Sequence, residues 1–258
     1  MACILLDIDG VLHVSGDPIP GASDAISELR RAGHSLRFVT NNSTRPRSRL
    51  AEELREMGFT LEDDELQTTP GAAARELAGK RVLALVMGAI VPDLDGLELV
   101  GDHAEAVLVG GCDDTVEPNQ VFSYMNLSRA FSEIRMGASL YCLHKNTWWQ
   151  TSLGPMLDSG AFVAGLEYAT GVEAVVLGKP SPAYFAAALE ALGAEPELTW
   201  LVGDDVEADL RGAKMFGMRT ALVRTGKFRP DTLEQLDLTP DVVVSSIADL
   251  PDWLERTI

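Results

Sequence analysis

Four short apolar runs in this chain each stop abruptly on a polar stretch able to do chemistry. Residues 3–6 run into Asp7-Ile8-Asp9-Gly10, and 36–39 into Thr40-Asn41-Asn42-Ser43. Residues 174–177 run into Gly178-Lys179-Pro180, and 200–202 into Gly203-Asp204-Asp205. Between the first two runs, apolar residues at helical spacing (Ala22, Ile26, Leu29) predict a helix over 22–32 that ends at Gly33. A second helix is predicted over 47–57, stopped by Gly58. Such a βαβα order predicts a right-handed parallel sheet carrying helices on its faces.

From about residue 70 to 171 a second β/α set follows, with helices predicted at 72–77, 121–135 and 162–170 and strands at 82–87, 106–109 and 139–143. The first pattern then resumes. Strands are expected at 175–177, 200–202, 220–223 and 242–244, with helices at 183–192 and 206–216. The predicted fold is α/β: a doubly wound parallel-sheet core of residues 1–72 and 173–258, with an α/β cap domain, 73–172, inserted into one loop over the crevice. If the four runs are strands of one sheet, their polar ends meet in the crevice beyond the carboxyl ends, where open sheets bind ligands.

The length suits one large domain or two modest ones. Acidic residues number 39 against 21 basic, a net charge of −18. No basic stripe acts locally against that charge, which repels nucleic acid and anionic lipid. No run is long and apolar enough to span a membrane, and residues 1–7 lack the basic region of a signal peptide. Cys3, Cys112 and Cys142 are odd in number and widely spaced, which argues against a disulfide framework or a thiolate zinc site. These features predict a cytoplasmic chain that binds neither nucleic acid nor membrane.

The converging residues suit a divalent cation and a phosphoryl group. Asp7 and Asp9, two positions apart at a strand end, project toward one side and repel unless a cation or a proton intervenes. An ionised Asp7 can attack phosphorus, while Asp9 protonates the departing oxygen and later activates water. Gly10 lets the backbone turn away. Asp204 and Asp205 supply the hard oxygens Mg²⁺ prefers, and Asp209 follows on the next helix; one of the three is expected to be spent on capping that helix. Thr40, Asn41 and Asn42 offer a hydroxyl and amides to phosphate oxygens. Lys179 supplies the fixed positive charge that holds a dianionic phosphate beside so many carboxylates.

Taken together, Asp-Ile-Asp-Gly-Val-Leu (7–12), Thr-Asn-Asn-Ser (40–43), Gly-Lys-Pro-Ser-Pro (178–182) and Gly-Asp-Asp-Val-Glu-Ala-Asp (203–209) resemble the four motifs of the haloacid dehalogenase (HAD) superfamily, whose core is Rossmann-like. The large insertion, with Gly-Leu-Glu-Tyr-Ala-Thr-Gly (165–171) ahead of Lys179, resembles the class IIA, NagD-like phosphatases. Val-Arg-Thr-Gly-Lys (223–227) fits the group of phospholysine phosphohistidine inorganic pyrophosphate phosphatases and their HAD-like relatives.

The resemblance implies a Mg²⁺-dependent phosphatase acting on a small phosphorylated molecule through an aspartyl-phosphate on Asp7, with Asp9 as general acid/base. Asp7, Asp9 (through its backbone carbonyl) and Asp204 would hold Mg²⁺, supported by Asp205 or Asp209. Thr40, Asn41 and Lys179 would hold the phosphoryl oxygens, and cap residues such as His144 and Lys145 would select the leaving group. It also implies a homodimer joined through the cap. Pyrophosphate or a phosphoamino acid is the alternative substrate class. A phosphoacceptor signalling domain and a catalytically idle binding protein are the rivals from other classes.

Overall fold

A computed structural model of the chain describes residues 1–113, 121–151, 154–229, 231 and 238–257. The chain forms two compact units: residues 1–40, 51–67 and 179–258 make the first, and 41–50 with 68–178 the second.

The first unit is built on a six-stranded parallel sheet. Its strand order is Val242–Val244, Arg219–Val223, Thr199–Gly203, Cys3–Asp7, Ser35–Val39, Leu66–Gln67. Central strands of such a sheet are covered on both faces, so they read as unbroken apolar runs. Ile4, Leu5 and Leu6, all fully buried, follow this rule. Each contributes on the order of 1.5–3 kcal/mol by leaving water.

The order runs outward in both directions from the neighbouring strands Cys3–Asp7 and Thr199–Gly203, which makes their shared end the topological switch point. Their register pairs Leu6 with Val202, so Asp7 and Asp204 leave the sheet nearly level with each other. Helix Ala22–Arg31 buries Ala22, Ala25, Ile26 and Leu29 at the spacing of one helical face. Helix Pro182–Leu192 does the same with Tyr184, Phe185, Ala188 and Leu189.

The helix expected over 206–216 takes a different form. Residues Val206–Arg211 make a wide π-helical turn, followed by a short α-helix, Gly212–Met215. The Asp205 carbonyl accepts the N–H of Asp209 at 2.9 Å and reaches toward that of Leu210 at 3.4 Å. Wide turns of this kind recur at functional sites, and this one holds Asp209 fully buried.

The second unit has its own five-stranded parallel sheet, ordered Val175–Val176, Ser139–Cys142, Ala106–Val109, Arg81–Leu85, Glu98–Leu99. It also contains an antiparallel hairpin, Trp148–Thr151 with Gly154–Leu157, and helices Thr69–Glu76, Tyr124–Arg135 and Gly160–Thr170. One expectation is overturned here. The run 174–177 does not join the first sheet; Val175 and Val176 pair with Tyr141 and Cys142 as an edge of the second. A four-residue apolar run carries no record of which sheet it completes, and Val175, 50% exposed, fits an edge rather than a covered centre. Lys179 therefore enters the first unit from a connection and not from the end of one of its strands.

Candidate active site

The switch point of the first unit gathers four charged side chains that are almost fully buried. Asp7 ends strand Cys3–Asp7, Asp204 directly follows strand Thr199–Gly203, and Asp209 sits in the wide turn. One carboxylate oxygen from each lies within 4.8 Å of the others. The Lys179 ammonium stands between two of them, 2.6 Å from Asp7 Oδ1 and 2.6 Å from Asp209 Oδ1. Close packing of backbone makes the geometry possible. Gly10 adopts a left-handed φ of 87°, and a Cβ there would overlap the Asp204 carboxylate.

The electrostatics of this cluster are unbalanced. Burial, and then repulsion from Asp209, drive the Asp7 carboxyl well above the ordinary carboxylate range, only partly offset by Lys179. Burial and Asp209 likewise push Asp204 up to about 7. Burial raises Asp209 as well, against the pull of Lys179. Lys179 is held protonated: burial alone would lower it, but Asp209 and Asp7 raise it above its usual value.

Three ionised carboxylates facing one ammonium leave two uncompensated negative charges in a buried site. A single divalent cation with a taste for hard oxygen donors relieves that excess, so the donor set fits Mg²⁺. Among the described residues these three aspartates are the one group of acidic, histidine or cysteine side chains spaced to hold an ion.

The remaining expected residues fall in different places. Asp9 lies just beyond, with its side chain 60% exposed and His13 Nε2 3.8 Å from its Oδ1. Asp205 is the capping aspartate: its Oδ1 accepts the N–H groups of Glu207 (3.1 Å) and Ala208 (3.0 Å). Its Oδ2 receives the Lys227 ammonium at 2.8 Å. Burial would raise Asp205, but Lys227 overcomes it and holds the carboxyl below its usual value.

Thr40, buried at the end of strand Ser35–Val39, belongs to the first unit, whereas Asn41 and Asn42 belong to the second. The Asn42 side-chain oxygen accepts the N–H groups of Thr44 (3.2 Å) and Arg45 (3.0 Å), a turn within its own segment. His144 and Lys145 also lie in the second unit. His144 is buried, with Nε2 2.8 Å from Ser43 Oγ, and the Lys145 ammonium is paired with both oxygens of Glu167 at 2.8 and 2.7 Å.

Two residues of the site escaped sequence reasoning. Lys227 is one. The other is Tyr184, a buried residue of helix Pro182–Leu192, whose hydroxyl accepts the Thr40 N–H at 3.1 Å. The same oxygen lies 2.9 Å from the Thr40 carbonyl and 2.8 Å from that of Gln67, either of which can receive its proton. Tyr184 thereby fixes the backbone that presents Thr40. Its place five residues after Lys179, on the helix that follows, is the only sequence signal. Tyr184→Phe removes these hydrogen bonds but leaves the Thr40 N–H its 3.2 Å bond to the Gln67 carbonyl, so unfolding in urea should show a loss of about 1 kcal/mol. An unchanged midpoint would remove the hydroxyl from this role.

Residues 4–99 match the model of the haloacid dehalogenase-like hydrolases, and residues 176–250 match a HAD-hydrolase-like model. A curated relative, phospholysine phosphohistidine inorganic pyrophosphate phosphatase of Xenopus laevis, is 39% identical over 97% of this chain and 93% of its own. The p-nitrophenyl phosphatase of Archaeoglobus fulgidus superposes with a TM-score of 0.89 at 30% identity, covering 98% of each chain. NagD of E. coli K-12 superposes with a TM-score of 0.85 at 25% identity, over 96% of this chain and 98% of its own. The chain belongs to the haloacid dehalogenase-like hydrolases, within their NagD-like class IIA phosphatases. No helix among the described residues is long and apolar enough to cross a membrane.

Proposed function

We propose that the chain is a Mg²⁺-dependent phosphatase that hydrolyses a small phosphorylated molecule through an aspartyl-phosphate on Asp7. The observation carrying this reading is the buried cluster of Asp7, Asp204 and Asp209 around Lys179. Asp7 and Asp204 would hold the ion together with the backbone carbonyl of Asp9, with Asp209 in support. When bound, Mg²⁺ would offset the carboxylate charge and draw electron density from the phosphoryl group.

An Asp7 oxygen attacks phosphorus as the bond to the leaving oxygen breaks, and Asp9 delivers a proton to that oxygen. Asp9 then takes a proton from water, whose oxygen attacks phosphorus; the bond to Asp7 breaks and inorganic phosphate leaves. General acid–base help of this kind contributes on the order of 10²–10⁴-fold. Lys179 already touches Asp7 and would hold a phosphoryl oxygen as negative charge develops. Thr40 would contribute a further contact, from a backbone held by Tyr184.

A second reading makes the substrate pyrophosphate or a phosphoamino acid with a P–N bond. The activity for which the Xenopus relative is named favours it. Release of inorganic phosphate from a panel of phosphomonoesters, pyrophosphate, phospholysine and phosphohistidine, each with and without Mg²⁺, separates the two. Release from none of them in the presence of Mg²⁺ would count against both.

The carboxyl shifts also predict how metal stabilises the fold. Asp7, Asp204 and Asp209 have folded-state pKa values above their unfolded values, so ionising them costs more in the folded chain. Their combined effect therefore lowers stability as pH rises from about 4 toward 7 and beyond. A cation that binds the ionised cluster reverses that loss. The rise in Tm on adding Mg²⁺ should be larger at pH 7.5 than at pH 5, as followed by thermal unfolding at both values. Equal rises at both would show that the ion does not bind these carboxylates.

A further inference from the structure

The loop Thr225-Gly226-Lys227 follows strand Arg219–Val223 and touches Asp204 and Asp205. Thr225 Oγ1 donates to the Gly10 carbonyl at 2.5 Å. Gly226 has a φ of 60°, and a Cβ on it would overlap the Asp204 carboxylate and Gly10, so only glycine admits this approach. Lys227 then makes two different contacts. Its backbone N–H donates to Asp204 Oδ2 at 2.6 Å, and its ammonium pairs with Asp205 Oδ2 at 2.8 Å.

We propose that Lys227 withholds Asp205 from the bound cation, leaves Asp204 as the ligand, and so makes the site prefer Mg²⁺ to Ca²⁺. The inference rests on the magnesium centre proposed above and adds a residue to it. Asp205 has both oxygens engaged, Oδ1 by two N–H groups and Oδ2 by Lys227. Asp204 accepts the Lys227 N–H at Oδ2 and offers an oxygen to the group it forms with Asp7 and Asp209.

The distinction decides which ion fits. Mg²⁺ binds through one or two carboxylates and keeps several waters, whereas Ca²⁺ takes six to eight oxygens in a flexible shell and welcomes a bidentate carboxylate. The Asp205 backbone N–H lies 3.2 Å from Asp209 Oδ2, so cutting the tie to Lys227 frees the Oδ2 of a carboxylate that adjoins the ion-spaced aspartates. The addition suits Ca²⁺ far more than Mg²⁺.

The test is calorimetric titration of Mg²⁺ and of Ca²⁺ into the full-length, metal-free and substrate-free protein, which reads binding without turnover. Lys227→Met should shift the ratio of the two Kd values toward Ca²⁺ by at least about fivefold. Lys227→Arg, which keeps the pairing, should leave the ratio within that limit. The double variant Lys227→Met with Asp205→Asn should restore it, because the extra carboxylate is gone. A shift below about fivefold in Lys227→Met, or one that persists in the double variant, overturns the proposal.

Should Lys227→Met fail to fold, the double variant decides, since it removes both charges of the pair. Mg²⁺ binding weakened by less than about tenfold supports the proposal, and a greater loss puts Asp205 on the ion and overturns it. Absence of Mg²⁺ binding by the parent protein is a separate result that removes the magnesium centre itself, and this inference with it.

Discussion

Asp7→Asn should reduce turnover of an aryl phosphate by at least about four orders of magnitude while leaving a folded protein of undiminished stability. The carboxamide oxygen can still accept from Lys179, which keeps its second partner in Asp209. Loss of one negative charge also relieves the repulsion that Asp209 and Asp204 now impose on Asp7. A carboxamide, however, is a poor nucleophile and cannot form the acyl phosphate. Residual activity depends on water attacking directly, helped by the remaining charge stabilisation. Steady-state rates together with a urea midpoint check both halves of this expectation. Near-parental turnover would take Asp7 out of the reaction, and a collapsed midpoint would make the substitution uninformative about chemistry but contrary to the stability argument.

Lys179→Met should be harmful in both respects. Lys179 is 2% exposed and is in contact with two buried carboxylates, which would be left facing each other. Breaking a buried pair from one side costs about 3–5 kcal/mol. Loss of the ammonium from a site that must hold a dianionic phosphate costs on the order of 10²–10³-fold in rate. Two controls separate the effects. Lys179→Met combined with Asp209→Asn removes part of the stranded charge and should recover stability without recovering turnover. Added Mg²⁺ should raise the melting temperature of the single variant, since the ion offsets the same carboxylates. Recovery of activity along with stability would assign Lys179 a purely structural role.

The strands of the first sheet and the acids at their ends are legible because each run is mostly apolar, broken only by Arg37 in the second, and stops on Asp, Thr or Gly. Cys3–Asp7, Ser35–Val39 and Thr199–Gly203 are neighbours in the sheet, as runs of that kind suggest. Val175–Val176 resisted the same reading, since hydrophobicity reports burial and not the identity of the sheet being completed. The assignment of residues 41–50 to the second unit is equally invisible, as no composition change marks Thr40 from Asn41.

Side-chain commitments within the site were legible only in part. That one of three aspartates would cap the next helix follows from residue preference; that Asp205, the one that does so, also pairs with Lys227, 22 positions further on, does not. Tyr184 and Lys227 act through contacts across long sequence separations, which no local pattern encodes. The wide turn at Val206–Arg211 was not legible either, since its apolar spacing reads as an ordinary helix.

The most direct measurement is acid quenching during steady-state turnover with Mg²⁺, followed by peptide mass spectrometry. A phosphoryl group is expected on the peptide that contains Asp7, located on that residue and absent from Asp7→Asn. A phosphoryl group on any other side chain, or phosphate release with no covalent enzyme species at any quench time, would contradict it.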